Sequence, residues 1–228
     1  MRTRTTGAVW TMVLLPPVTL GAVILAYAGW TGISLADPGA ESSLRAALPG
    51  ILAVNHLGLF GLLLLLLRRG GDSPADLGWS LQRTGSTVVR EAAVGLACAL
   101  GLYLFKELAI DPARQLLAGQ APTFTSLFAF RPGSLDVGMA AAATGLVFVE
   151  ESIYRGFALP YFEDGRGTVP AVIVTSAAFG LLHWGNGPAA ILVTSILGAL
   201  LAAIFVWRRN LVAGTVAHAL YNLAVLLT

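Results

Sequence analysis

The chain has 228 residues, 56% of them apolar and only 11% charged, with a net charge of +2 and a mean hydropathy of +0.77. Soluble domains are about 45–50% apolar and about 25% charged, so this composition excludes a disordered chain, a soluble globular enzyme and an ordinary nucleic-acid-binding domain. It describes a single integral membrane domain over residues 1–228, with room for about six to eight crossings of a hydrocarbon core about 30 Å thick.

Seven apolar segments follow one another: Ala8–Trp30, Ala47–Leu67, Thr87–Phe105, Val137–Phe162, Val169–Trp184, Pro188–Trp207 and Leu211–Thr228. The first follows Arg2 and Arg4. It outruns the apolar region of a signal peptide, about 7–15 residues, and so predicts a retained helix. Pro16-Pro17 should kink that helix. Cys98 is the only cysteine, which excludes an intramolecular disulfide and a cysteine-based metal site. The longest connections are Arg68–Ser86 and Lys106–Asp136; within the second, Thr123–Phe130 reads as an interfacial helix or a re-entrant segment. The predicted fold is all-α, a polytopic transmembrane bundle of about seven spans.

Positive charge gives the orientation. With a cytoplasmic N-terminus, the inside segments hold Arg2, Arg4, Arg68, Arg69, Arg83, Arg90, Arg166, Arg208 and Arg209. The outside segments hold Arg45, Lys106, Arg114 and Arg131. The basic excess therefore belongs to cytoplasmic loops and not to a nucleic-acid partner.

Ionisable side chains inside a membrane cost about 2.5–3.5 kcal/mol each on insertion scales and mark functional candidates. The fourth segment carries Glu150-Glu151 and Arg155, the fifth ends with Phe179 and His183, the seventh carries His218 and Asn222, and the second carries Asn55-His56. Glu151 and Arg155 are four apart with the acid first, the favourable order for a helical ion pair. Glu150 lies about 100° around the helix from Glu151 and is left free. Phe179 with His183, and His218 with Asn222, share helix faces. At 1.5 Å per residue, Glu150, His183, His218 and Asn222 lie roughly 18, 21, 10 and 16 Å from the cytoplasmic end of their segments. Those depths suit one polar site.

Other polar and aromatic residues have plainer readings. Asn55 and His56 are expected to make helix-to-helix hydrogen bonds and to stay out of the site. Tyr154, Phe157, Phe179 and Tyr221 read as packing, and Thr194 and Ser195 as local bonds to backbone or neighbouring helices. Arg90-Glu91 and Lys106-Glu107, near helix ends, are expected to snorkel.

The ordered triple EExxxR, FxxxH and HxxxN resembles the CPBP family of membrane proteins, the CAAX proteases and bacteriocin-processing (Abi) proteins. Arg155-Gly156-Phe157 matches the family's usual RGF continuation, and Ala75-Asp76-Leu77-Gly78-Trp79 its LGL-type loop. The resemblance covers roughly Ser73–Asn222, with the catalytic helices within 137–228. Six residues follow Asn222, which leaves no eighth helix of the kind found in eukaryotic-type relatives.

The resemblance implies an intramembrane endopeptidase in the cytoplasmic membrane of a prokaryote. Its partners would be the lipid bilayer and a membrane-associated peptide or protein substrate, lipidated in the prenyl-processing branch. In the implied chemistry Glu150 takes a proton from a water held with His183. His218 and Asn222 donate to the developing oxyanion. Glu151, Arg155 and Phe179 support them. No cofactor is favoured: HExxH is absent and Asn222 is a poor zinc ligand. If zinc were bound, Glu150, His183 and His218 would hold it. The alternatives are a catalytically silent scaffold or regulator of the same fold, and a small transporter using Glu150 and the histidines as a proton relay. The transporter reading is disfavoured by the lack of an internal repeat.

Overall fold

A computed structural model describes residues 5–37, 40–81, 87–112 and 137–227. Seven helices occupy the seven apolar segments: α1 (Thr6–Thr31), α2 (Ala40–Gly70), α3 (Val88–Phe105), α4 (Val137–Arg166), α5 (Thr168–Leu181), α6 (Pro188–Arg208) and α7 (Val212–Leu227). Among the described residues there is no strand. This follows from the solvent: in lipid, a backbone must satisfy its own polar groups, and a helix does so within one segment. Among the described residues, five helices (α1 to α4 and α6) are long and apolar enough to cross a membrane, while α5 and α7 are shorter apolar helices. The Thr123–Phe130 segment lies outside the described residues.

Large apolar side chains such as Val18, Leu96, Leu108, Ile173 and Trp207 stand exposed around the bundle, as suits an integral membrane protein whose outer surface meets lipid. Inside, Met12 of α1, Leu63 of α2, Phe157 and Phe162 of α4, and Phe179 of α5 build the main core. A smaller core joins Leu102 of α3, Leu201 of α6, and Ala213 and Ala217 of α7.

Helix α4 is not uniform. Ser152–Ala158 forms a π-helical turn between ordinary α-helical stretches. This departs from the even α-helical spacing read along the EExxxR motif. Wide turns of this kind occur mostly at functional sites.

The LGL-type loop docks beneath that turn. Ser73 and Asp76 cap a short 3-10 helix, Pro74–Leu77. Leu77 is fully buried. An added Cβ at Gly156 would sit 2.6 Å from the Leu77 carbonyl oxygen, so only glycine admits this approach. Trp79 Nε1 donates to Ser152 Oγ at 3.0 Å, and Leu211 N–H donates to the Gly78 carbonyl at 3.0 Å. The glycine of RGF and the loop are thus two halves of one contact.

The basic end of the bundle is tied together. Arg209 pairs with Glu163, Arg208 with Glu91, and Thr6 at the start of α1 bonds Tyr161 near the end of α4. Glu91 has no exposed surface; its expected snorkelling is replaced by a two-point contact with Arg208, Nε at 3.0 Å and a second nitrogen at 2.6 Å. A carboxylate drawn inward needs such a partner. Lys106 likewise turns back to Glu107 and Asp111 at 2.7 Å each.

Candidate active site

The two adjacent carboxylates of α4 face different neighbours. Glu151 Oε1 lies 3.2 Å from an Arg155 guanidinium nitrogen, both side chains being 1% exposed. The same Oε1 accepts from His218 Nδ1 at 3.0 Å. Arg155 also donates to the Gly198 carbonyl of α6 at 3.0 Å, and its guanidinium lies 4.4 Å from the centroid of the Phe179 ring. The expected Glu151–Arg155 pair is formed, but it does more than brace one helix. It reaches α5, α6 and α7.

Phe179 is the hub. Its ring meets Tyr154, His183 and His218 edge-on, with centroids 5.5, 5.2 and 5.6 Å away. Such edge-to-face contacts favour a fixed geometry, and here they set the planes of two imidazoles. Reading Phe179 as packing alone misses this. Its four-residue offset from His183 was the signal available in the sequence.

Glu150 turns the other way, with 14% of its side chain exposed. Its Oε1 lies 3.0 Å from His56 Nε2 and its Oε2 3.9 Å from His218 Nε2. The second distance is too long for a direct hydrogen bond. His183 is close enough to Glu150 to interact with it electrostatically.

This corrects the expectation for His56. It makes the expected helix-to-helix bond, but its partner across the α2–α4 interface is Glu150, which brings it into the site. Composition and helical spacing place His56 at membrane depth but say nothing about which helix faces it. Asn55 stays apart from these contacts, and among the described residues its buried amide has no hydrogen-bond partner. Thr194 and Ser195 bond to the backbone one turn back, as expected.

The ring nitrogens sort themselves. His56 Nδ1 faces the Leu52 carbonyl at 2.9 Å, His183 Nδ1 the Phe179 carbonyl at 3.2 Å, and His218 Nδ1 the Glu151 carboxylate. Each of these partners is an acceptor, so each histidine has a proton on Nδ1. Asn222 donates through Nδ2 to the Ala143 carbonyl of α4 at 2.7 Å. One of its two amide hydrogens is therefore used to tie α7 to α4.

Among the described residues no group of three His, Cys, Asp or Glu side chains is arranged to hold a metal ion, and the Oε1 of Glu150 is occupied by His56.

Residues 133–224 match the family model described as Rce1-like, type II CAAX prenyl endopeptidase Rce1-like. The match spans α4 to most of α7 and contains all three motifs. It agrees with the CPBP and CAAX protease resemblance and, at that coarse level, supports a membrane endopeptidase. Asn55, His56 and Trp79 lie outside it. No curated protein and no solved structure matches the chain.

Proposed function

We propose that the protein is an intramembrane endopeptidase in which Glu150 activates the attacking water without a metal. The observation that carries this reading is the setting of Glu150: a carboxylate in a membrane helix with Nε2 of His56 at 3.0 Å and Nε2 of His218 at 3.9 Å. An acid–base carboxylate must be held in a fixed pose and still keep one oxygen open to substrate.

In this reading Oε2 takes the proton of a water that also contacts His183, whose Nε2 has a lone pair because Nδ1 is protonated. The proton then passes to the leaving amine. The oxyanion needs donors. Asn222 has one amide hydrogen left over from Ala143. His218 with its proton on Nδ1 offers only a lone pair at Nε2, so it donates to the oxyanion as the imidazolium. Glu151, bonded to Nδ1, stabilises that cation. Glu151 and Arg155 thereby enter the chemistry through His218.

The substrate class is a membrane-associated peptide or protein, with a lipidated cysteine upstream of the cut bond as the first candidate. The N-terminus is read as cytoplasmic, because the start of α1 shares the arginine-rich end of the bundle through Thr6 and Tyr161. The test compares membrane peptides by mass spectrometry in cells with wild-type protein and with Glu150→Gln. A peptide shortened only by the wild type is expected; identical peptide sets would overturn the reading. Purified active protein should carry no stoichiometric zinc and should keep its activity after prolonged chelation. Activity lost on chelation and restored by zinc would show that the histidines are ligands.

A further inference from the structure

We propose that His56 of α2 is a positioning residue for Glu150: it commits Oε1 and leaves Oε2 as the oxygen that handles the water. This rests on the reading of Glu150 as the base.

The argument is a count of protons and acceptors. A neutral imidazole has one N–H. His56 has an acceptor at each nitrogen, the Leu52 carbonyl at 2.9 Å and Glu150 Oε1 at 3.0 Å. A carbonyl only accepts, so Nδ1 carries a proton. The Nε2–Oε1 contact needs a second one. With Glu150 ionised for its role as base, that proton sits on Nε2, and the pair is an imidazolium and a carboxylate on neighbouring helices. Opposite charge offsets the cost of holding a carboxylate inside a membrane.

Geometry adds the direction. The Leu52 carbonyl lies one turn back on the same helix, so the ring is pinned to α2 before it meets Glu150. His56 is 5% exposed and has little freedom to leave. Glu150 is then held at one oxygen from α2, while His218 of α7 lies beyond hydrogen-bonding distance from the other. His183 lies in the turn after α5. A bond that only joined two helices would not need a carboxylate of the site as its acceptor.

The experiment uses the full chain in lipid nanodiscs and, as probe, a quenched-fluorescent farnesylated peptide that ends three residues after its cysteine. His56→Leu is expected to lower kcat about 100-fold, with KM within about twofold, as for a misplaced reacting group. His56→Gln keeps a side-chain N–H for Oε1 and should recover kcat to within about tenfold of wild type. Histidine ring 15N NMR gives a readout apart from turnover. His56 should carry protons on both nitrogens in the wild type, and on Nδ1 alone in Glu150→Gln. Unchanged kcat in His56→Leu would overturn the proposal, as would equal losses in the Leu and Gln variants or a singly protonated His56 in the wild type. If the wild type leaves the probe uncut, the protease reading loses support, and the 15N spectra alone decide the role of His56.

Discussion

Glu150 and Glu151 are neighbours in sequence, yet they sit in two unlike regions of the bundle. Around Glu151 the structure is closed: Arg155, one turn on along the same helix, and the His218 imidazole of α7 meet it, the Phe179 ring of α5 covers that arginine, and 1% of the Glu151 side chain is exposed. Around Glu150 the structure is held on one side only, by His56, and 14% of the side chain stays open. A carboxylate closed in on every side can organise a site but cannot exchange a proton with a substrate. One with an open side can.

That contrast can be broken by substitution. The largest effect is expected from Glu150→Gln, which should cost activity about 10²–10⁴-fold, the range of a lost general base, while abundance and melting temperature stay near wild type. Turnover that survives the change would end the distinction between the two carboxylates. Next comes Arg155→Ala. It strands the Glu151 carboxylate inside the bundle, at a cost of about 3–5 kcal/mol, and should be read as a drop in membrane-extracted protein and in detergent melting temperature. Equal losses of protein for the Glu150 and Arg155 variants would erase the division of labour. Smaller again is Gly156→Ala, whose methyl meets the Leu77 carbonyl oxygen at 2.6 Å. Overpacking of that kind costs about 1–3 kcal/mol. It should show as a modest fall in melting temperature, because it lifts the loop and leaves both carboxylates in place.

The sequence makes the closed region more legible than the open one. Glu151 and Arg155 declare themselves by a four-residue step on one helix, and the same step relates Phe179 to His183 and His218 to Asn222. The seven helices were legible too, because an apolar run of about twenty residues in lipid has one stable local structure. His56 was not legible as a site residue. Its partner is 94 positions away in sequence, and no periodicity within α2 encodes which helix α2 will meet. The same holds for Glu91, whose partner Arg208 comes from another helix, and for Asn222, which spends one hydrogen on Ala143. Trp79 on Ser152 is an intermediate case: the loop stood out as a motif, but its target did not.

The π-helical turn of α4 has a consequence for phase. Across Ser152–Ala158 the backbone closes over five residues, as in the bond from Leu159 N–H to the Tyr154 carbonyl, so the stretch holds an extra residue relative to an α-helix. Rewinding that turn to an α-helix with every residue kept would swing everything beyond it by about 100° relative to Glu150 and Glu151. Tyr161 would leave Thr6, and Glu163 would leave Arg209. The extra residue works as a phase adjuster, letting one continuous helix satisfy the azimuth of the carboxylates at mid-depth and a different azimuth at the basic end.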